Sequence, residues 1–445
     1  MKCLVFETHQ KARLMSIFMT RRRKRRAFIL SRRFQRRVTF VAGGLIVGLT
    51  AAGLAIAADY AQATFHSFSD KWHWAPLLMT PLGFAAIVYF TTRFFPNTQG
   101  SGIPQAIAAR TMTRFEYRSR LVGFRVALGK VLFTLLGLFV GASTGREGPT
   151  VQVGASIMFM VGKFTPQRQS DLILAGSAAG VAAAFNTPLA GVVFAIEEMS
   201  RSFEARASGL IIGAVIVAGM TAQMLLGDYT YFGQTSEVAP TAILWMAVPI
   251  CAVVGGFTGA GFSRILMAFP DVLPSRIAAL VAKRPVVVAG ICGACVAICS
   301  SAVDGGVYGT GYEQARAALS NPSNVPWEYA PLKLLATALS AISGVPGGIF
   351  SPSLSVGAGI GAIITHLFHT TATGSIVLLG MVAYFTGVVR APITAFVIVS
   401  EMSGNPRMLV ALMATAIIAD ACARIVNREG VYHALSKRFV NPVAA

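Results

Sequence analysis

Charge is what this chain has least of. Only 13% of its 445 residues are charged, against 54% hydrophobic, and Asp and Glu together number 18. Soluble domains carry about a quarter of their residues as charges, so a soluble main body is excluded. Histidine is rarer still, with six residues: His9, His66, His73, His366, His369 and His433. They form no HExxH pair. The nearest approach, HLFH at His366 to His369, has no acidic neighbour, which leaves the zinc-protease pattern unmet. Cysteine is also scarce: Cys3, Cys251, Cys292, Cys295, Cys299 and Cys422. CGACVAIC sets three of them on one helical face. Without histidine or acidic partners nearby they read as small packing residues, and no metal is expected.

What fills the chain is apolar sequence. A membrane-crossing helix needs about 20 apolar residues. Segments of that length, or nearly so, begin near Val38, Trp74, Leu121, Ala207, Ile243 and Pro285. Shorter ones begin near Leu172, Leu189, Leu332, Ile349, Gly374, Ala391 and Met408. Together they occupy the chain from about residue 38 to residue 428, the pattern of an all-α polytopic membrane protein.

Residues 1–37 differ. Arg21, Arg22, Arg23, Lys24, Arg25, Arg26, Arg32, Arg33, Arg36 and Arg37 supply half of the formal net charge of +20. Such a run could bind nucleic acid. Because it abuts a spanning segment, the simpler reading is the positive-inside rule and contact with anionic lipid, with the N-terminus cytoplasmic and no nucleic acid involved. It is not a secretory signal, since no small-residue cleavage site follows and further spans come directly after.

The chain repeats itself. GSGIPQA (Gly100 to Ala106) pairs with GTGYEQA (Gly309 to Ala315) at an offset of 209. GREGPTVQVG (Gly145 to Gly154) pairs with GIFSPSLSVG (Gly348 to Gly357) at 203. TPLAGVVFAIEEMS pairs with APITAFVIVSEMS, Pro188 on Pro392 at 204 and Met199 on Met402 at 203, after one extra glutamate. Three pairs in one order at nearly one spacing indicate duplication. The expected halves are residues 38–237 and 238–429, with a C-terminal helix and tail over 430–445. Duplicated membrane proteins place their substrate near the midplane, where broken helices of the two halves meet.

GSGIP, GREGP and GGIFSP share a design. Their glycines free the backbone, and a proline follows where a first helical turn tolerates it. Each motif reads as an irregular segment opening a helix, with unpaired N–H groups and the positive dipole end facing outward. Tight helix–helix turns would need the same glycines. Three such motifs in a repeat favour an anion site built from Gly100, Gly102, Pro104, Gly145, Arg146, Gly148, Pro149 and Gly348. An ionisable residue at membrane depth is expensive and points to function. Arg146 and Glu147, adjacent at a helix start, point in different directions and pair poorly with each other. A carboxylate at Glu147 can occupy the anion site itself and leave it on protonation, which makes it a gate. Farther on, Glu197 has a repeat mate in Glu401 and reads as a helix-end acid bonded to nearby backbone. Glu198 is the residue that breaks the repeat, and function is expected where symmetry fails.

GSGIPQ, GREGP, GVPGGIFSPSL and Tyr432 within VYHALSKRF together resemble the CLC family of chloride channels and chloride/proton antiporters. The resemblance runs from about residue 38 to the end, in the family's order, as in a prokaryotic-type member without C-terminal CBS domains. It implies eighteen helices in two inverted halves, a homodimer with one pore per subunit, and a bacterial inner-membrane location. Carried over by motif, the hydroxyls of Ser101 and Tyr432 and the backbone N–H groups of Ile349 and Phe350 hold chloride. Glu147 resembles the external gate that also carries the proton, and Glu198 the internal proton-transfer glutamate of the exchangers. Read without the family, Tyr432 is an interfacial anchor and Phe350 plain core, while a helix N-cap at Ser101 is disfavoured by its place between two glycines in a paired motif. The chain departs from the pattern after GSGIP, where AIAARTMTR lacks the acidic residues many relatives carry. It retains the serine and gate that the fluoride-exporting branch alters.

The expected function is coupled chloride/proton antiport gated by Glu147, with no cofactor beyond the transported ions. The alternatives are a passive chloride channel, voltage- or pH-gated, on the same fold and, more remotely, an intramembrane enzyme using Glu147 or the Glu197–Glu198 pair.

Overall fold

The computed structural model describes residues 2–164, 169–200, 209–227, 239–269, 274–368 and 372–440; side chains are described from Phe34 onward, with a few further gaps. The basic cluster's side chains before Phe34, His369, and the boundary expected between the halves at Glu237 and Val238 therefore lie outside the described residues.

Helix accounts for nearly all of the described chain. In the first half the α-helices are α1 (Lys2–Lys71), α2 (Ala75–Phe94), α3 (Ile103–Thr111), α4 (Phe115–Val122) and α5 (Phe124–Phe139). There follow α6 (Glu147–Val161), α7 (Gln169–Phe185), α8 (Pro188–Phe194) and α9 (Gly209–Leu226). The second half holds α10 (Thr241–Ala268), α11 (Ser275–Lys283), α12 (Pro285–Ser301), α13 (Tyr312–Ser320) and α14 (Tyr329–Ile342). It continues through α15 (Phe350–Thr365), α16 (Thr373–Val389), α17 (Pro392–Ser403) and α18 (Leu409–Val426), and α19 (Val431–Val440) follows. Among the described residues six stretches are long and apolar enough to cross a membrane: Arg37–Lys71, Ala75–Phe94, Phe115–Phe139, Gly209–Leu226, Thr241–Ala268 and Pro406–Val426. Two expectations shift. The segment from Pro285 is 17 residues, because its helix ends at Ser301 before the glycine-rich turn at Gly305 and Gly306. The segment near Met408 is full length, because a short 3-10 turn at Pro406–Met408 leads directly into α18.

The duplication is visible element by element. Helix α1 packs on α9 as α10 packs on α18, and α6 packs on α7 as α15 packs on α16. Both of the latter pairs approach through glycines. A Cβ on Gly154 would lie 2.3 Å from the Gly176 carbonyl oxygen, and one on Gly357 would lie 2.7 Å from that of Gly380. In lipid, where burying apolar surface drives little, such close backbone approach is what holds helices together. The halves meet about an approximate dyad. Gly145 N–H donates to Gly348 O and Gly348 N–H donates to Gly145 O, each at 2.7 Å. The core lines this seam: Phe185, Phe194, Phe350, Phe385 and Tyr432 are all buried, the other four rings centred within about 6 Å of Phe350.

Candidate functional site

The three glycine–proline motifs each open a helix at this seam. Gly100 and Gly102 take φ of +66° and +96°, a region that only glycine enters without strain, and α3 starts one residue later with Pro104 in its first turn. Helix α6 starts on Glu147 and α15 on Phe350. The paired bonds between Gly145 and Gly348 bring these two helix starts together. The third joins them through Gly148, where a Cβ would lie 2.4 Å from Ser101 Oγ and 3.1 Å from Gly348 Cα. Three helix N-termini and their positive dipole ends thus converge.

Tyr432 comes from the far end of the sequence. Helix α19 packs on α3, and the Tyr432 ring stacks on Phe350 with centroids 5.8 Å apart. The Ser101 and Tyr432 hydroxyls interact with each other electrostatically. Both are buried, and neither makes a hydrogen bond of ordinary geometry to protein. Ser101 is not a cap: it stands outside the N-cap residue Gly102, and its hydroxyl holds no helix N–H. Tyr432 is fully buried, which removes its reading as an interfacial anchor. Two hydroxyl donors beside three helix starts suit an anion.

Lys130, which the sequence reading passed over, sharpens this. It is fully buried on α5, and its Nζ donates to Gly100 O at 2.8 Å; the Gly347 N–H reaches the same oxygen at 3.1 Å. The carbonyl's negative end is thereby held by two donors, and the GSG turn is pinned to α5. The mate of Lys130 at offset 203 is Lys333, also fully buried, which donates to Val307 O and Gly309 O at 2.8 Å in the paired GTGYEQ turn. A lysine inside an apolar helix was the available signal.

Two cavities flank the seam. One of about 220 Å³ is lined by Ser101, Gln105, Ile349, Tyr432 and Arg438 among others. The other, about 620 Å³, is lined by Asp59, Gln62, His66, Arg146, Thr310 and Glu313 among others. Thr310 and Arg146 are the repeat mates of Ser101 and Ile349, so the second cavity is the dyad counterpart of the first. The first turn of α6 lies between them. Arg146 lines one cavity, and Gly148 touches Ser101, which lines the other.

In that turn Arg146 reaches α1, donating to Ala55 O at 2.7 Å and pairing with Asp59 at 2.5 Å. Glu147 is fully buried. Its Oε2 lies over Gly145, where a Cβ would come within 2.3 Å of it, and Pro352 of α15 is the next neighbour of that spot. The carboxylate is thus folded back over the Gly145–Gly348 bridge.

Glu198 sits where the repeat breaks. Helix α8 runs into a π turn over Ala195–Ser200, while its mate α17 is α-helical from Pro392 to Ser403. A π turn takes up one extra residue, and the extra residue is Glu198. Glu197 keeps the register of Glu401, and the two do the same work across the dyad. Glu197 accepts from the N–H groups of Ile393 and Thr394 at 3.1 and 2.6 Å, and Glu401 accepts from those of Leu189 and Ala190 at 3.1 and 2.7 Å. Each caps the helix start of the opposite half, so the backbone they bond is not nearby in sequence. Glu198 is left buried beside α19, where His433 Nε2 contacts its carbonyl at 2.7 Å. Arg110, in the stretch after GSGIP that lacks acidic residues, donates to Met199 O at 2.5 Å and holds the end of the turn. Among the described residues no three His, Cys, Asp or Glu side chains group as a metal-ligand set.

Comparison with known proteins follows the same lines. Residues 82–424 match the family model described as voltage gated chloride channel. A protein named H(+)/Cl(-) exchange transporter ClcA from Cronobacter sakazakii is 31% identical over 422 residues, 89% of this chain and 88% of that one. Its namesake from Yersinia pestis bv. Antiqua is 30% identical over 81% of this chain and 79% of its own. A crystal structure of a slow cyanobacterial Cl-/H+ antiporter superposes with a TM-score of 0.78 at 25% identity, covering 92% of this chain and 99% of that one. A CLC-type fluoride/proton antiporter shares the fold, with a TM-score of 0.74 at 21% identity.

Proposed function

The chain belongs to the voltage gated chloride channel family, and on that premise we propose that it is a chloride/proton antiporter of the bacterial inner membrane, its N-terminus cytoplasmic. One observation carries the reading: a buried carboxylate stands at the mouth of a donor cluster built for an anion, and a second sits in an inserted turn beside the same C-terminal helix. Chloride is held by the hydroxyls of Ser101 and Tyr432 and by the N–H groups of Ile349 and Phe350. Gly100, Gly102, Pro104, Gly145, Gly148, Pro149 and Gly348 shape the helix starts, and Arg146 anchors the gate to α1. Held by N–H groups rather than salt-bridged to a cation, chloride binds loosely enough to leave again. Protonation neutralises Glu147, which yields its place near the helix starts to chloride. The proton then passes between Glu147 and Glu198, opposite to chloride.

The exposed apolar face formed by Leu189 of α8, Met220 and Met224 of α9, Ile393 of α17 and Val410 and Ile417 of α18 is where a second copy would pack to form a homodimer. The basic N-terminal segment would rest on anionic lipid.

The test is chloride-driven proton uptake in proteoliposomes. Protons moving against their gradient while chloride runs down its own supports antiport; chloride flux that moves no protons makes the protein a passive channel. A second test uses Gly145→Ala. The added methyl displaces the Glu147 carboxylate, so chloride should flow with fewer protons per chloride than in wild type, by a factor of about 2 or more; an unchanged ratio means the pose over Gly145 does not matter.

A further inference from the structure

Glu198 is 2% exposed and has no direct face on solvent. A proton reaching it from the internal solution needs a carrier. The structure places His433 there. Its Nε2 lies 2.7 Å from the Glu198 carbonyl oxygen and 3.8 Å from the carboxylate Oε1. The two side chains differ in access: His433 is 16% exposed and the Glu198 side chain 3%. His433 is also the residue after Tyr432 on α19. Neighbours on a helix point about 100° apart, so one helix turn offers Tyr432 to the anion site and His433 to the carboxylate.

We propose that His433 is the proton relay between the internal solution and Glu198; this rests on the antiport reading above. In the forward step the imidazolium Nε2–H bond breaks and an O–H bond forms on Glu198 Oε1. The ionised carboxylate becomes neutral, and the ring is left neutral with its proton on Nδ1. A proton carried by internal water to the vacated nitrogen restores the imidazolium. No other reactant is needed. The motion is small, because the nitrogen already bonds the backbone of the same residue whose carboxylate it serves. Imidazole suits the task, since it gains and loses a proton near neutral pH. Among the described residues, the other charged or titratable groups at this corner are Glu197 on the π turn, Arg110 of α3, which bonds Met199 O at the end of that turn, Tyr432 next to His433 on α19, and Lys437, paired with Glu429 at 2.6 Å.

The experiment compares wild type with His433→Gln in vesicles, reading chloride-driven proton uptake and chloride flux together across pH. Glutamine can donate to the Glu198 carbonyl but cannot titrate. The expected result is a fall in proton uptake on the order of tenfold or more above about pH 7, as for loss of a positioned acid–base group. The deficit should shrink at acid pH, where water supplies protons fast enough. Imidazole added inside the vesicles should restore uptake. Wild-type proton uptake in His433→Gln at every pH overturns the proposal. So does a loss that is equal at every pH and untouched by imidazole, which would make His433 a clamp on the turn. A wild type that moves chloride without protons instead fails the antiport reading itself. If the glutamine variant does not fold, His433→Asn with the same imidazole addition decides the matter.

Discussion

Glu147→Gln is expected to abolish chloride-driven proton uptake, bringing it to the level of empty vesicles, while chloride continues to cross. Glu147 is the first residue of α6, fully buried, its carboxylate folded over the bridge that joins the two halves. A carboxylate at this position faces a helix N-terminus. A helix N-terminus stabilises a carboxylate by roughly 0.3–1 kcal/mol at an exposed site and up to about 2 kcal/mol where partly buried. The converging starts of α3 and α15 add to that field. Glutamine has nearly the same shape but no charge to lose or gain. It cannot compete with chloride as an anion, and it cannot carry a proton. On the proposed reading chloride keeps its donors, hydroxyls and backbone N–H groups that the substitution leaves in place. Simultaneous chloride-electrode and pH-electrode traces on one vesicle preparation read both ions. Proton uptake that persists undiminished in Glu147→Gln removes the gate from this residue.

The neutrality of the proposed donors explains why the helix openings were legible in sequence. Anion binding by backbone depends on glycine to bend the chain and proline to start the helix, and both leave local marks. GSGIP, GREGP and GGIFSP could be read as helix openings because the constraint lies within about five residues. The duplication was legible for the same reason, as an offset. What sequence could not show was partners. Glu197 was read as a helix-end acid, but the N–H groups it caps are 196 and 197 residues away, in the other half. His433 meets Glu198 across 235 residues. Lys130 was missed although its signal was present, an ionisable residue inside VALGKVLF. The acidic pattern absent after GSGIP gave no hint that Arg110 would hold the end of the π turn, because a missing residue says nothing of what replaces its contacts.

Glu198→Gln should lose proton uptake while chloride flux remains, the second large effect. The argument rests on register. From Pro188 to Glu197 the first half matches Pro392 to Glu401 residue for residue, and from Met199 to Ser200 it matches again with the offset one smaller. The π turn over Ala195–Ser200 absorbs that difference, and its product is one buried carboxylate with no counterpart in α17. A π turn is a rare and poorly bonded geometry, kept where it serves a site. A stronger variant follows. Deleting Glu198 outright should convert the turn to regular α-helix in the register of α17, with Glu197 still capping Ile393 and Thr394. The deletion should therefore fold, with a melting temperature in detergent within a few degrees of wild type, since a single turn relaxes toward its better-bonded form. It should move chloride and no protons, like the glutamine variant. Two outcomes separate the explanations. Proton uptake retained by the deletion means that the proton bypasses this residue. Proton uptake lost by the deletion but retained by Glu198→Gln means that the shape of the turn matters and its carboxylate does not. Only loss in both variants, with chloride still flowing, identifies the inserted acid as the inner end of the proton's path.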